Sequence, residues 1–242
     1  MSGRSHEAPP VRFRARAGAP ASSSGCRSNQ AGGIGTTVLL CLLFVAIVLV
    51  AFVYSMTRPT VVSTEQLREQ GVVLWPKPRE LKPFQLDKAS GGVFANADFE
   101  GKWSFVFFGF TNCPDICPTS MAVMAQARKR LAVEYPAIAQ RFQGILVSVD
   151  PERDSGAVLA DYVAAFDADF LGLRGEREAV ASLATDVNVA FAEMPSTSEP
   201  CTIDHTGNIV IINPKGHYHG FIKLPHQADT LVATAAALGT TL

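Results

Sequence analysis

The residues with the most chemistry to offer in this 242-residue chain are Cys113 and Cys117, in the stretch NCPDICP at positions 112–118. Two thiols four apart can close a disulfide, grip a soft metal ion, or simply pack in a tight turn. The prolines that follow each cysteine narrow the choice. A residue before proline is pushed out of the right-handed helical region, so non-helical backbone is predicted at both cysteines. Pro118 suits the first position of a helix, where its missing N–H costs nothing. Cys117 is then the expected N-cap, with its sulfur at the positive end of the helix dipole. A thiol so placed gains thiolate character. These sulfurs are expected to be reactive.

Three residues separate the cysteines, where thioredoxin-type oxidoreductases use two. The wider bite suits a metal at least as well as disulfide exchange. The third residue of interest is His205, in CTIDHTG at 201–207. A histidine on its own is more often structural than a ligand. His205 gains weight from its place, because its segment is expected to lie beside the cysteine loop. Two thiolates and one imidazole form a soft donor set that favours copper. His217 and His219 alternate along one strand and share a face, which is read as a solvated face. Met121 and Met124 are read as core.

The elements that must position these residues alternate in type. Short segments at 84–86 and 91–94 predict a small hairpin. WSFVFFGF at 103–110 and FQGILVSV at 142–149 are almost continuous apolar runs, as expected of strands buried on both faces. Helical spacing runs from Pro118 to Glu134, and helices are predicted at 157–166, 176–186 and 227–238. A short strand is expected at 170–173, and a hairpin turns at NPKG between strands at 209–212 and 218–222. Strand and helix alternation closed by a hairpin and a helix predicts an α/β, thioredoxin-like fold. Its mixed central sheet would carry helices on both faces. Sites in open α/β sheets lie at the carboxyl ends of strands, and the cysteine loop is there.

Ahead of this domain, residues 1–33 lack hydrophobic periodicity and read as a disordered basic tail. Residues 34–56 contain 21 uncharged positions from Ile34 to Tyr54, which predicts one N-terminal transmembrane helix. A cleaved leader would have a shorter apolar stretch and a small-residue cleavage site, and Cys41 lies mid-span, where no lipoprotein cysteine sits. Residues 57–80 read as a polar linker whose apolar patch, Val72 to Trp75, docks on a domain beginning near Leu81. Five of the 21 basic residues but only one of the 22 acidic residues precede position 57. The positive-inside rule then leaves the N-terminus cytoplasmic and the 81–242 domain in a periplasm, or the mitochondrial inner-membrane equivalent. Disulfides can form in such a compartment. A net charge of −1 gives no reason to expect a nucleic-acid partner.

FFGFTNCPDICPTSM, SVDPERD, FLGLRG, TIDHTG and the NPKG hairpin, in that order and spacing, resemble the Sco/SenC family. Its members are membrane-anchored copper chaperones for cytochrome c oxidase assembly. The resemblance covers roughly residues 80–240 and the anchor. It implies that Cys113, Cys117 and His205 bind copper, as Cu(I) or Cu(II), and that Cys113 and Cys117 also form a redox disulfide. It implies service to the binuclear copper site (CuA) on the copper-bearing subunit of the oxidase. Other copper chaperones or a thioredoxin-like reductant are further implied partners. Asp150 and Asp204 match acidic family positions near the site. There they either hydrogen-bond around the ligands or only shape strand-end turns. Cys201 departs from the family pattern and reads as a small buried filler.

A chaperone of this kind is not a turnover enzyme. The main rival is a thiol–disulfide oxidoreductase that keeps oxidase cysteines reduced, which the Cys-x3-Cys loop permits. A thiol peroxidase would need a Pro-x3-Thr-x2-Cys setting, which is lacking here. His205 separates the first two readings, since a reductase has little need of it.

Overall fold

Apolar alternation breaks down in the two strands that carry the molecule. β4 (Trp103–Gly109) and β5 (Phe142–Ser148) are buried at all seven positions each. Strands with both faces covered read as continuous apolar runs. The computed structural model describes residues 34–57, 62–193 and 203–239. The chain divides into two units, residues 1–59 and 60–242. In the first, α1 (Ile34–Thr57) is long and apolar enough to cross a membrane over Ile34–Ser55. The expected tail at 1–33 lies outside the described residues.

The second unit runs α2 (Thr64–Glu69), β1 (Val72–Glu80), β2 (Gln85–Lys88), β3 (Val93–Ala95), β4, α3 (Ile116–Glu134), α4 (Pro136–Ala139) and β5. It continues with α5 (Gly156–Ala164), β6 (Leu171–Arg174), α6 (Arg177–Asp186), β7 (Phe191–Glu193), β8 (Ile203–His205), β9 (Ile209–Ile212), β10 (His217–Ile222) and α7 (Ala228–Gly239). Eight strands form one mixed sheet in the order β1-β10-β9-β4-β5-β6-β2-β3. β4, β5 and β6 are parallel to one another, and the other pairings in the sheet are antiparallel. This is the thioredoxin-like arrangement expected from the sequence. Met121 and Met124 are fully buried on α3, as core.

Residues 64–80 correct the reading of 57–80 as a linker. Ser63 and Gln66 form a capping box: the Ser63 hydroxyl accepts from the Gln66 amide, and Gln66 Oε1 accepts from the Ser63 amide at 3.0 Å. β1 then pairs with β10 at Val72↔Ile222, Val73↔Phe221 and Leu74↔Gly220, and resumes at Arg79↔Tyr218 after an irregularity. Pro76 and Pro78 fall in that irregularity. A proline cannot donate to the ladder, so it is confined to edges and bulges, and β1 is an edge strand. Arg79 also ties β1 down, donating to the Asp186 carbonyl at 3.1 Å and Asn188 Oδ1 at 3.2 Å. The apolar patch at 72–75 does dock, but as a strand of the sheet.

A second correction concerns the cysteine loop. α3 begins at Ile116 with Asp115 as its N-cap, so Cys117 is helical and Pro118 is the third helical residue. The first turn of a helix has no intrahelical partners for its N–H groups, so a proline is tolerated throughout that turn. Cys113 is non-helical, as expected. The sequence reading also passed over β7 and β8, which form a separate two-stranded ribbon. Cys201 lies outside the described residues. His219 is not on a solvated face: it packs edge-on against Trp103 at 5.1 Å, and burial holds its pKa below the usual value.

Candidate metal centre

Three elements deliver three donors to one point. The loop after β4 carries Cys113, the first turn of α3 carries Cys117, and the last residue of β8 is His205. Their Sγ, Sγ and imidazole nitrogen atoms all lie within 4.8 Å of one another. An ion bound at about 2.0–2.3 Å from each donor spaces them by about 4 Å, so little movement would close the set. Cys117 is fully buried and Cys113 is 9% exposed.

Local packing fixes Cys117. A Cβ at Gly109, the last residue of β4, would stand 2.8 Å from Cys117 Sγ and 3.1 Å from Phe107. Only glycine leaves the sulfur room at that strand end. His205 is oriented from both sides. Its Nδ1 is 3.4 Å from the Thr206 carbonyl and its Nε2 is 3.5 Å from Cys117 Sγ. A carbonyl can only accept, so Nδ1 holds the proton and Nε2 offers its lone pair towards the sulfurs. Metal-bound histidines commonly donate their other N–H in this way. Phe107 and Phe110 meet the ring edge-on at 5.7 and 6.0 Å.

Among the described residues, β8 pairs with β7, with Phe191 opposite His205 and Ala192 opposite Asp204. The Thr206 amide donates to the Ala190 carbonyl at 2.8 Å, and the Thr206 hydroxyl accepts from the Ala190 amide at 3.1 Å. These bonds set where the β8 end lies, and so where His205 stands. The Asp204 side chain is outside the described residues.

Asp150 is not among the gathered donors. It is buried, its amide donates to Ser148 Oγ at 3.1 Å, and its carboxylate pairs with Arg153. The Arg153 guanidinium lies over Phe110 at 5.8 Å, and Phe110 in turn meets the His205 ring. The residue that the sequence reading overlooked is Asp154, four positions further on. Its fully buried carboxylate accepts from the amide and hydroxyl of Thr111, at the start of the cysteine loop. SVDPERD offers the aspartate, but nothing in the sequence separates a buried carboxylate there from a solvated one. Burial of the Tyr162 phenol, reinforced by Cys117, Cys113 and Asp154 nearby, pushes its pKa up.

A second imidazole stands behind the site. His226 Nδ1 lies 3.0 Å from Ser120 Oγ on α3, and its ring meets Phe107 edge-on at 6.1 Å. Burial lowers its pKa from 6.5 to about 4. Between those values the unfolded chain binds a proton that the folded chain does not, so stability falls as pH drops from 6.5 towards 4. Allowing for solvent screening of the partly exposed ring, the loss is about 1–2 kcal/mol. Denaturant midpoints measured from pH 7.5 to 4.5 should fall less steeply for His226→Gln than for the unaltered protein. Parallel profiles would rule this titration out.

The SCO1/SenC family model matches residues 75–239. A putative copper-binding protein of Stutzerimonas stutzeri is 32% identical over 166 residues, covering 68% of this chain and 79% of that protein. The mitochondrial SCO2 homolog of Mus musculus is 34% identical over 152 residues, 62% of this chain. The match spans 58% of that relative, little more than half its length. Among solved structures, Arabidopsis thaliana ScoI with copper bound is similar at a TM-score of 0.61 and 27% identity, covering 66% of this chain and 98% of that one. BsSco is described as carrying a disulfide switch and as a member of the Sco family of cytochrome c oxidase assembly proteins. It is similar in fold, at a TM-score of 0.55 and 22% identity over 70% of this chain and 99% of its own.

Proposed function

The chain belongs to the SCO1/SenC family, and on that footing we propose that it is a membrane-anchored copper metallochaperone that helps assemble the CuA site of cytochrome c oxidase. The observation that carries the reading is the convergence of Cys113, Cys117 and His205 on one point. Copper is the cargo. Two soft thiolates and an imidazole suit Cu(I) at low coordination and also accept Cu(II). Transfer to the copper-bearing subunit proceeds by exchange of one soft donor for another. The α1 span restricts the search for that partner to the membrane plane. The arginine-rich N-terminal flank supports an orientation with the copper domain on the side away from the cytoplasm.

The same two sulfurs set a redox condition on loading. Closing the Cys113–Cys117 disulfide, by exchange with a disulfide of another protein that is itself reduced, takes two electrons from the pair together with the two thiol protons, and leaves two neutral sulfurs that are poor donors where two thiolates could form. Reduction by another thiol pair, such as a thioredoxin-like protein or a partner chaperone, restores them. Their closeness also supports a second reading, in which the pair reduces cysteines of an oxidase subunit.

His205 decides between the two readings. Full-length protein in detergent is titrated with Cu(I) against a chromophoric chelator, and thiol–disulfide exchange is followed in parallel. His205→Ala is expected to lose more than about 100-fold in copper affinity, since even residues outside the ligand shell cost 10–100-fold. Disulfide exchange should survive. Copper affinity equal to that of the unaltered protein, with exchange that depends on both cysteines, would replace the chaperone reading with the reductase one.

A further inference from the structure

Three hydrogen-bond donors converge on the Asp154 carboxylate, in the turn that leads into α5. They are the Thr111 amide at 3.1 Å, the Thr111 hydroxyl at 2.6 Å and the Ser148 hydroxyl at 2.6 Å. The carboxylate is fully buried, and no cation pairs with it among the described residues. An ionised carboxylate only accepts, so both hydroxyl protons are committed to it. Ser148 Oγ then turns a lone pair to the Asp150 amide at 3.1 Å. A buried charge is tolerated when it is fully hydrogen-bonded, and short O–H···O⁻ bonds are the strong kind.

These bonds join three chain segments. Ser148 ends β5, directly opposite Gly109 at the end of β4. Asp154 precedes Ser155, which caps α5. Thr111 opens the loop that delivers Cys113 two residues later, and the Cys113 amide reaches back to the Phe110 carbonyl at 3.4 Å. Both polar groups of Thr111 that can donate are therefore spent on one acceptor. We infer that Asp154 is a positioning residue for the copper site: by clamping Thr111 it holds the cysteine loop where Cys113 meets Cys117 and His205. This inference rests on the copper reading of that site.

The clamp requires a charged acceptor. An asparagine in the same place would turn an NH2 group towards one of the donors, so at least one of the three bonds is lost in Asp154→Asn. Thr111→Val removes one hydroxyl donor at nearly constant volume, and Thr111→Ser keeps it. Each variant is made in the full-length protein in detergent. Three quantities are read: Cu(I) affinity by chelator competition, the reduction potential of the metal-free Cys113/Cys117 pair in thiol redox buffers, and the melting temperature.

Asp154→Asn and Thr111→Val are expected to lose about 10- to 100-fold in copper affinity, as for residues that orient metal ligands. A looser loop holds the sulfurs together less often, so the disulfide should become about tenfold easier to reduce, or about 30 mV. Thr111→Ser should return both readings to those of the unaltered protein. A lower melting temperature with unchanged affinity and potential would mean a purely structural carboxylate and would overturn the inference. If Asp154→Asn does not fold, Thr111→Val decides, and unaltered affinity and potential in that variant overturn it equally. If the unaltered protein binds no copper, the copper reading fails. The reduction potential then judges the clamp on its own, and an unmoved potential rejects it.

Discussion

Full-length protein carrying Cys117→Ser is expected to lose copper retention by at least about 100-fold in affinity while remaining folded. Serine is nearly isosteric, but its hydroxyl is a hard donor that stays protonated at neutral pH, so no soft anionic ligand is left at that corner. The fold should tolerate the change, because the new hydroxyl lies where Cys117 Sγ meets His205 Nε2 at 3.5 Å and so has an acceptor. Cys113→Ser should also lose copper, but the two cysteines are not equivalent. Cys117 is enclosed by Gly109, locked in the first turn of α3, and in contact with His205. Cys113 sits on a non-helical turn with a little exposure. In the reduced, copper-free protein, iodoacetamide should therefore label Cys113 faster than Cys117 by about tenfold or more, since access limits the rate at an enclosed thiol. Chelator competition and mass spectrometry of the labelled peptides read these two effects separately. Stoichiometric copper retained by Cys117→Ser would break the ligand set itself.

How this site was legible follows from what kind of signal each residue left. Cys113 and Cys117 were visible because their spacing and flanking prolines are local properties of the chain. The core strands were equally legible, because burial on both faces writes an almost continuous apolar run at 103–110 and 142–149, interrupted only by Ser104, Gln143 and Ser148. His205 was harder: its partner lies 88 positions away, and only the expected fold and the family resemblance brought the two together. Asp154 was missed because its role arises from Thr111, 43 residues earlier. A buried carboxylate in a polar motif looks the same in sequence as a surface one. α3 starts two residues before Pro118, where the proline alone would have put its first position, because proline is permitted anywhere in a first turn. β7 and β8 are three residues each and pair across a gap in the described chain, which is too short for an alternating pattern to declare itself.

The β1 segment is where sequence and structure differ most, and one substitution separates them. Gly220→Ala is expected to cost about 3–5 kcal/mol, the range of severe single changes. A Cβ on Gly220 would stand 2.1 Å from the Val73 carbonyl oxygen and 3.0 Å from Leu74 Cα. Those are backbone atoms of β1, directly across the ladder at Leu74↔Gly220. No side chain can swing aside to relieve the contact, so the strand itself must move off β10. Val72 would then leave the core, together with Leu67 on α2, which is fully buried. Trp75 would lose its packing on Tyr218 and Phe221, both at 6.1 Å. Trypsin should consequently cut after Arg68 and Arg79 about tenfold faster or more, because local opening sets access to the protease. β9 stands between β10 and β4 in the sheet, so the ligands carried after β4 and on α3 are two strands removed from the damage. Copper affinity should change far less than protease resistance. Had residues 57–80 been a linker, an alanine at position 220 would meet nothing from them, and both stability and cleavage would be unaltered. An unchanged tryptic pattern in Gly220→Ala would thus restore the linker reading and remove β1 from the sheet.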